Sequence, residues 1–320
     1  MPIIPTSAYR RPAIYFNGHV ETIWPSMVRQ VFDVSYKRER LDLPDNDFVD
    51  LDWLTNNYKR LVIISHGLEG SSDRHYSKGM AKYFFLREWD ALAWNCRSCS
   101  GEINRLPRFY HHGATEDLEA VINHAFAKGY SAITLVGFSM GGSLTLKYLG
   151  ERFKLDHRLK SAVVFSVPCD LGSSARELDK PSKSFYRNRF LRKLRKKIEL
   201  KSELFPDIVP LAPFQYIKTF EDFDNTYTAP LHGFKNAQDF YSKASSGQFI
   251  SSIKMPTLIV NAQNDPFLPE GCYPREAAKR SHFVYLEMPK HGGHVGFTLF
   301  NQDENWMEIR AFHFVSEYSN

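Results

Sequence analysis

The stretch Ala132-Ile133-Thr134-Leu135-Val136-Gly137-Phe138-Ser139-Met140-Gly141-Gly142 decides how the rest of the chain is read. Its first half is a short apolar run rich in β-branched residues, which predicts a buried strand. It then passes through Gly137-Phe138-Ser139-Met140-Gly141, a G-x-S-x-G pattern. Behind it, Ser143 to Leu149 carries apolar residues at helical spacing. Strand, sharp turn and helix form the context in which a serine is held at the tip of a strained elbow. The helix N-terminus behind it stabilises developing negative charge. Gly137 and Gly141 leave room for the backbone to pass close to itself, since a Cβ at either position would clash.

A nucleophilic serine needs a base, and the base needs an orienting carboxylate. With this kind of elbow the chain order is Ser, then Asp or Glu, then His, with both partners on loops past late strands. Past the apolar run Thr257 to Asn261 comes Gln263-Asn264-Asp265-Pro266-Phe267, and Asp265 is the carboxylate nearest that strand end. Past Phe283 to Leu286 comes Lys290-His291-Gly292-Gly293-His294-Val295-Gly296-Phe297. His294 stands among glycines that let a loop swing the imidazole over the sheet edge, and spacing alone leaves His291 as its rival. The oxyanion donors expected are the amide after the serine, Met140, and one from the loop after the first core strand. That loop is His66-Gly67-Leu68-Glu69-Gly70, and Leu68 N–H is the candidate. Two such donors would be worth roughly 3 kcal/mol each. Glu69 reads as a loop anchor, not as a catalyst.

Taken in order, residues 1–30 read as an irregular, aromatic-bearing arm. Residues 31–43 and 48–54 read as an antiparallel hairpin around Pro44-Asp45-Asn46-Asp47. Buried strands are expected at 60–65, 91–95, 132–136 and 162–167, with helical segments at 80–87 and at 115–128, the latter closed by Gly129. After the sixth strand the strand signals stop for some 80 residues of helical, polar, aromatic-rich sequence. They resume at 257–261 and 283–286, and residues 305–318 form an amphipathic helix. Strands alternating with helices predict a mostly parallel sheet covered on both faces. The expected organisation is a core in two parts, residues 1–168 and 252–320, with a mainly helical cap at 169–251.

Hydrophobic content of 43% and charged content of 24% are those of an ordinary soluble protein. The net charge of +5 is confined to one segment: Arg176 to Lys201 holds 11 Lys/Arg against 3 Asp/Glu. A whole-surface nucleic-acid footprint is excluded on that ground. Cys96 and Cys99 form a C-x-x-C with no second pair at metal spacing, so reduced thiols in a cytoplasmic protein are expected, and no metal site. No charged n-region with an apolar h-region opens the chain, and no run reaches the ~18 apolar residues of a membrane span. Within the basic segment, Leu191, Leu194 and Ile198 share a helical face, with Arg187, Arg189, Arg192, Lys193, Arg195, Lys196 and Lys197 around the rest. The plain reading is a solvated cap helix. The sharper one is a weak electrostatic contact with an anionic membrane surface.

The chain resembles the YheT-like branch of the α/β-hydrolases, the AB hydrolase 4 family. The stretches that carry the resemblance begin at Asn17 (NGHVETIWP), Ser65 (SHGLEGSSDRHY), Asn95 (NCRSCSGEINR), Val136 (VGFSMGGSLTLKYL), Tyr227 (YTAPLHGF), Phe240 (FYSKAS), Asn264 (NDPFLP) and His291 (HGGHVGF). The resemblance implies an α/β-hydrolase fold, Ser139 as nucleophile, Asp265 as acid and His294, not His291, as base. It implies action on small-molecule acyl esters without a cofactor. Acyl transfer to an alcohol, and a non-catalytic ligand-binding role on the same fold, are the alternatives. Two departures stand out. The family's R-G-C-S-G is Arg97-Ser98-Cys99-Ser100-Gly101 here, and its acidic pair before proline is Asn264-Asp265.

Overall fold

The computed structural model describes residues 3–318. Among them, nine strands form one sheet. In chain order they are β1 (Ile3–Ile4), β2 (Lys37–Asp42), β3 (Phe48–Leu54), β4 (Arg60–Ser65), β5 (Asp90–Asn95), β6 (Ala132–Phe138), β7 (Leu159–Phe165), β8 (Thr257–Val260) and β9 (Val284–Glu287). Their spatial order is β1-β9-β8-β7-β6-β4-β5-β3-β2. Every pairing from β1 to β5 is parallel, and the hairpin β2–β3 joins antiparallel through β5. Parallel strands buried on both faces need apolar residues at every position, and this is why β4, β6 and β7 read as continuous apolar runs. Leu61, Ile63, Leu135 and Val164 face one layer, and Val62, Ile64, Val136 and Val163 the other.

Helices α1 (Gly18–Val28), α2 (His75–Phe85), α3 (Thr115–Ala127) and α4 (Met140–Glu151) precede the long insertion. Between β7 and β8 the described residues form helices and no strand, beginning with α5 (Leu171–Asp179) and α6 (Ser184–Leu204). Leu191, Leu194 and Ile198 of α6 are buried in the same apolar cluster as Leu61 and Val164 of the sheet. The inserted helices therefore share the core, and add a small apolar cluster of their own around Leu171, Ala237, Phe240, Tyr241 and Ala244.

Several expectations are corrected. The arm is not irregular: it holds the edge strand β1 and the helix α1, whose Asn17 side chain accepts from Val20 N–H at 2.9 Å. β1 makes the strand before the insertion the seventh. The first hairpin strand is shorter than expected, and α2 starts at His75, before the expected Met80. The cations of α6 do not all ring its solvated face, because Lys197 and also Lys201 are buried. At Ser98, where the family has glycine, the backbone takes φ 60°, the left-handed conformation glycine would adopt freely.

Candidate active site

The site lies past the C-terminal ends of β4, β6, β8 and β9, where open parallel sheets bind their ligands. Ser139 follows β6 directly with φ 53° and ψ −116°, a conformation that costs on the order of 1–3 kcal/mol. Its N–H donates to Phe165 O at 2.8 Å, so the neighbouring strand holds the turn. A Cβ on Gly137 would stand 2.5 Å from Gly141 O, and one on Gly141 would run into the carbonyls of Ser65 and His66. The elbow thus needs both glycines for close approach.

His294 Nε2 lies 2.9 Å from Ser139 Oγ, and His294 Nδ1 lies 2.9 Å from Asp265 Oδ2. A carboxylate only accepts, so Nδ1 carries the proton and Nε2 is left to accept from the serine hydroxyl. The His294 side chain is 10% exposed and that of Asp265 is fully buried. Phe267 donates its N–H to Asp265 Oδ1 at 2.9 Å and stacks its ring on the imidazole, centroids 4.1 Å apart. His291 stands elsewhere, with Nδ1 3.9 Å from Glu21 Oε1.

Helix α1 holds both loops together. Thr22 Oγ1 accepts from His294 N–H at 2.8 Å. The buried Glu21 carboxylate accepts from Gly292 N–H and from Asn264 Nδ2, and Asn264 Oδ1 accepts from Gly293 N–H at 3.1 Å. Gly293 has φ 57°, and a Cβ there would meet Gly18 O at 2.7 Å. Sequence reasoning missed these three positioning residues. For Glu21 and Thr22 the NGHVETIWP stretch was the available signal, with an asparagine cap opening a helix; for Asn264 it was the departure from the family's acidic pair.

The loop after β4 is fixed from several sides. Tyr76 Oη accepts from Gly67 N–H at 3.1 Å, Tyr110 Oη accepts from Glu69 N–H at 2.9 Å, and Gly70 N–H donates to Gly67 O at 2.9 Å. The Leu68 amide between them has no acceptor among the described residues. Met140 opens α4, where the first N–H groups have no intrahelical partner. Glu69 is the anchor: its carboxylate accepts from Lys197 Nζ at 2.7 Å and from Tyr110 Oη. Burial opposes its charge, yet Lys197 and Tyr110 hold the carboxyl below its usual range. The helix α6 thereby clamps the loop that carries Leu68.

Two cavity lobes meet at Ser139 and His294, each enclosing about 830 Å³ with its mouth included. One runs under the inserted helices and is walled by Phe109, Leu171, Leu194, Phe220, Phe223 and Phe240. Asp224 lines it too, accepting from Thr228 Oγ1 at 2.6 Å and Tyr241 Oη at 2.8 Å, and burial pushes its carboxyl up to about 6. The other opens between α1 and α6, where His19 Nδ1 and Tyr186 Oη are 3.0 Å apart.

A parallel sheet with a strained serine elbow and a bonded Ser-His-Asp row defines an α/β-hydrolase. Residues 60–299 match the family model described as alpha/beta hydrolase fold, and the chain belongs to that family. Within it, the chain falls in the YheT-like branch. It is 31% identical over 314 residues to YheT of Escherichia coli (strain K12), whose name carries a provisional esterase assignment, covering 95% of this chain and 92% of that one. It is 28% identical over 308 residues to the phospholipase ABHD3 of Mus musculus, covering 92% and 74%. Among solved structures, an esterase of Pyrococcus furiosus superposes with a TM-score of 0.60 at 17% identity, covering 91% of this chain and 97% of that one, a likeness of fold.

Proposed function

We propose that the chain is a serine carboxylic-ester hydrolase with Ser139 as nucleophile, His294 as general base and acid, and Asp265 as the group that orients and stabilises the imidazolium. The observation that carries this reading is the pair of 2.9 Å contacts from Asp265 through His294 to Ser139, at the point where two cavity lobes meet. His294 takes the proton as Ser139 Oγ attacks the acyl carbonyl. The Leu68 and Met140 amides receive the oxyanion. Collapse expels the alcohol, which takes the proton from His294. Water then attacks the acyl-enzyme as His294 takes its proton, and collapse breaks the bond from the acyl carbon to Ser139 Oγ, with His294 returning the proton to Oγ and the carboxylic acid leaving. These groups supply every proton and electron pair the reaction needs.

The aromatic lobe takes the acyl chain, since each methylene moved from water to such a wall gains about 0.8 kcal/mol. Residues 169–251 then act as a cap whose α6 both roofs the site and clamps the Leu68 loop. The mouth of the site meets an anionic lipid surface through weak electrostatic contact. Supporting this, Arg192, Arg195 and Lys196 of α6 are exposed, and Trp24, Met27 and Val28 expose apolar surface on α1, the helix that borders this lobe through Thr22, Ile23 and Ser26. Among the described residues no helix is long and apolar enough to cross a membrane.

The test is a p-nitrophenyl ester series of increasing acyl length, with and without added alcohol. Turnover that rises with chain length and then falls at the aromatic end wall is expected. Absence of turnover across the series overturns the reading, and product appearing only with added alcohol replaces hydrolysis by acyl transfer.

A further inference from the structure

The lobe that opens between α1 and α6 differs in character from the acyl lobe. Arg74, Arg189 and Lys193 line it, and among its described lining residues there is no Asp or Glu. None of the three forms an ion pair among the described residues. Arg74 Nη2 and Lys193 Nζ converge instead on one backbone carbonyl, Glu69 O, each at 3.1 Å. The Glu69 carboxylate bonds to Lys197 and Tyr110 and to neither of these cations; its charge acts on Lys193 only at a distance and does not outweigh burial and Arg74. Burial first, and then the neighbouring Arg74, hold the Lys193 ammonium down to about 8, a crowding of positive charge that an anion would relieve. Helix α2 begins at the same wall with no side-chain cap at Arg74, adding the positive end of its dipole. His75 Nδ1, on the same lining, has no hydrogen-bond partner.

We propose that this lobe binds an anionic group, a carboxylate or a phosphate, carried on the alcohol half of the ester. Arg189 and Lys193 of the cap and Arg74, just before α2, are the residues that hold it. The inference rests on the ester-hydrolase reading of Ser139 and His294. It follows from the partition of the site: the aromatic lobe takes the acyl chain, so the leaving group lies in the lobe where unpaired cations gather. Planar guanidinium groups suit both oxyanions, since they bind them through paired N–H donors.

The test compares matched short-chain esters that stay monomeric. One pair is p-nitrophenyl butanoate and its ring-carboxylated analogue, each corrected for uncatalysed hydrolysis. The other is 1-butanoylglycerol and 1-butanoylglycerol 3-phosphate. At low salt, kcat/KM for at least one anionic ester should exceed that for its neutral twin by about tenfold or more, falling as salt screens the contact. The pair with the larger ratio identifies the group. In R189Q/K193Q that ratio should fall to within about twofold of one, R189K should retain it, and R189E should shift preference toward a butanoyl ester with a cationic alcohol. A readout independent of turnover is the melting temperature. Glycerol 3-phosphate should raise it relative to glycerol in the parent and leave it unchanged in R189Q/K193Q. Turnover of neutral esters without an anionic preference, or a preference that survives the double variant, overturns the proposal. No turnover of any ester overturns the hydrolase reading instead, and the melting shift then decides the anion site alone.

Discussion

Asn264 Nδ2 donates to Glu21 Oε2 at 3.1 Å, a contact that spans 243 residues of sequence and joins the loop of Asp265 to helix α1. Because Asn264 Oδ1 accepts from Gly293 N–H, one amide ties the acid loop, the base loop and the N-terminal helix together. This gives a physical reason for the asparagine where the family has an acidic residue. A carboxylate there would keep the bond to Gly293 but face the buried Glu21 carboxylate. Asn264→Asp should therefore destabilise the fold by about 1–3 kcal/mol at pH 7.5 and lower kcat. The penalty should shrink as the pH falls toward 4, because protonating one carboxyl removes the repulsion. An unchanged melting temperature at pH 7.5 would refute this account.

The assignment of the triad predicts a ranking. Ser139→Ala should lower ester turnover by on the order of 10⁴-fold or more. His294→Ala should be nearly as damaging, whereas His291→Ala, beside Glu21 and away from Ser139, should cost far less. Asp265→Asn should reduce kcat while the fold persists, since the carboxylate orients and does not react. If the two histidine variants exchanged effects, the base would be His291.

How much of this was readable from the sequence depends on how local the cause is. The elbow was legible because Gly137, Ser139 and Gly141 encode their own turn. Asp265 and His294 were legible from chain order, and the choice between His294 and His291 came from resemblance, not spacing. Helix α1 was hidden because Pro25 lies inside it, its Trp24, Met27 and Val28 face outward, and its buried stripe of Gly18, Glu21, Thr22 and Pro25 holds no large apolar residue. Lys197 was misread for another reason. In a run of cations it looks like one more solvated charge, and its burial depends on Glu69, 128 residues away. No periodicity within α6 carries that information.

The clamp between Lys197 and Glu69 should be measurable. Their side chains are 7% and 8% exposed, so removing one partner strands a buried charge. Lys197→Met should destabilise by about 3–5 kcal/mol. It should also lower kcat more than it changes KM, because the loop carrying the Leu68 amide loses its anchor. Lys197→Met/Glu69→Gln should recover much of the stability. A double variant no more stable than the single one would show that the pair is not the clamp.

Asp224 should make stability pH-dependent. Burial raises its carboxyl from 3.8 to about 6, so folding favours the protonated form. That contribution is full below about pH 3.8 and is lost as the pH rises through about 6. Asp224→Asn removes the titration. The stability of the variant relative to the parent should improve from pH 4.5 to pH 8 by up to about 2 kcal/mol. The full figure is an upper bound, because Asp224 borders the cavity and Asn cannot accept from both Thr228 and Tyr241. A difference that stays flat across this range would show that Asp224 ionises normally.

The charged cap leads to the last expectation, in a form the structure has narrowed. Lys197 is spoken for by Glu69, and Lys193 turns toward the cavity, so neither belongs to an outer membrane-facing surface. Arg192, Arg195 and Lys196 remain outward, with Arg195 partly engaged by Glu199 at 2.9 Å. Each basic residue near an anionic surface contributes roughly 1 kcal/mol, and the attraction decays over a Debye length of about 10 Å at 0.1 M salt. The protein should therefore co-sediment with anionic vesicles at low salt, detach as salt rises, and ignore neutral vesicles. Arg192→Gln/Lys196→Gln should weaken that binding by roughly tenfold or more. Trp24→Ala should weaken it further by removing the exposed ring on α1. Equal binding to neutral and anionic vesicles, or none to either at low salt, would make α6 a solvated roof over the site and nothing more.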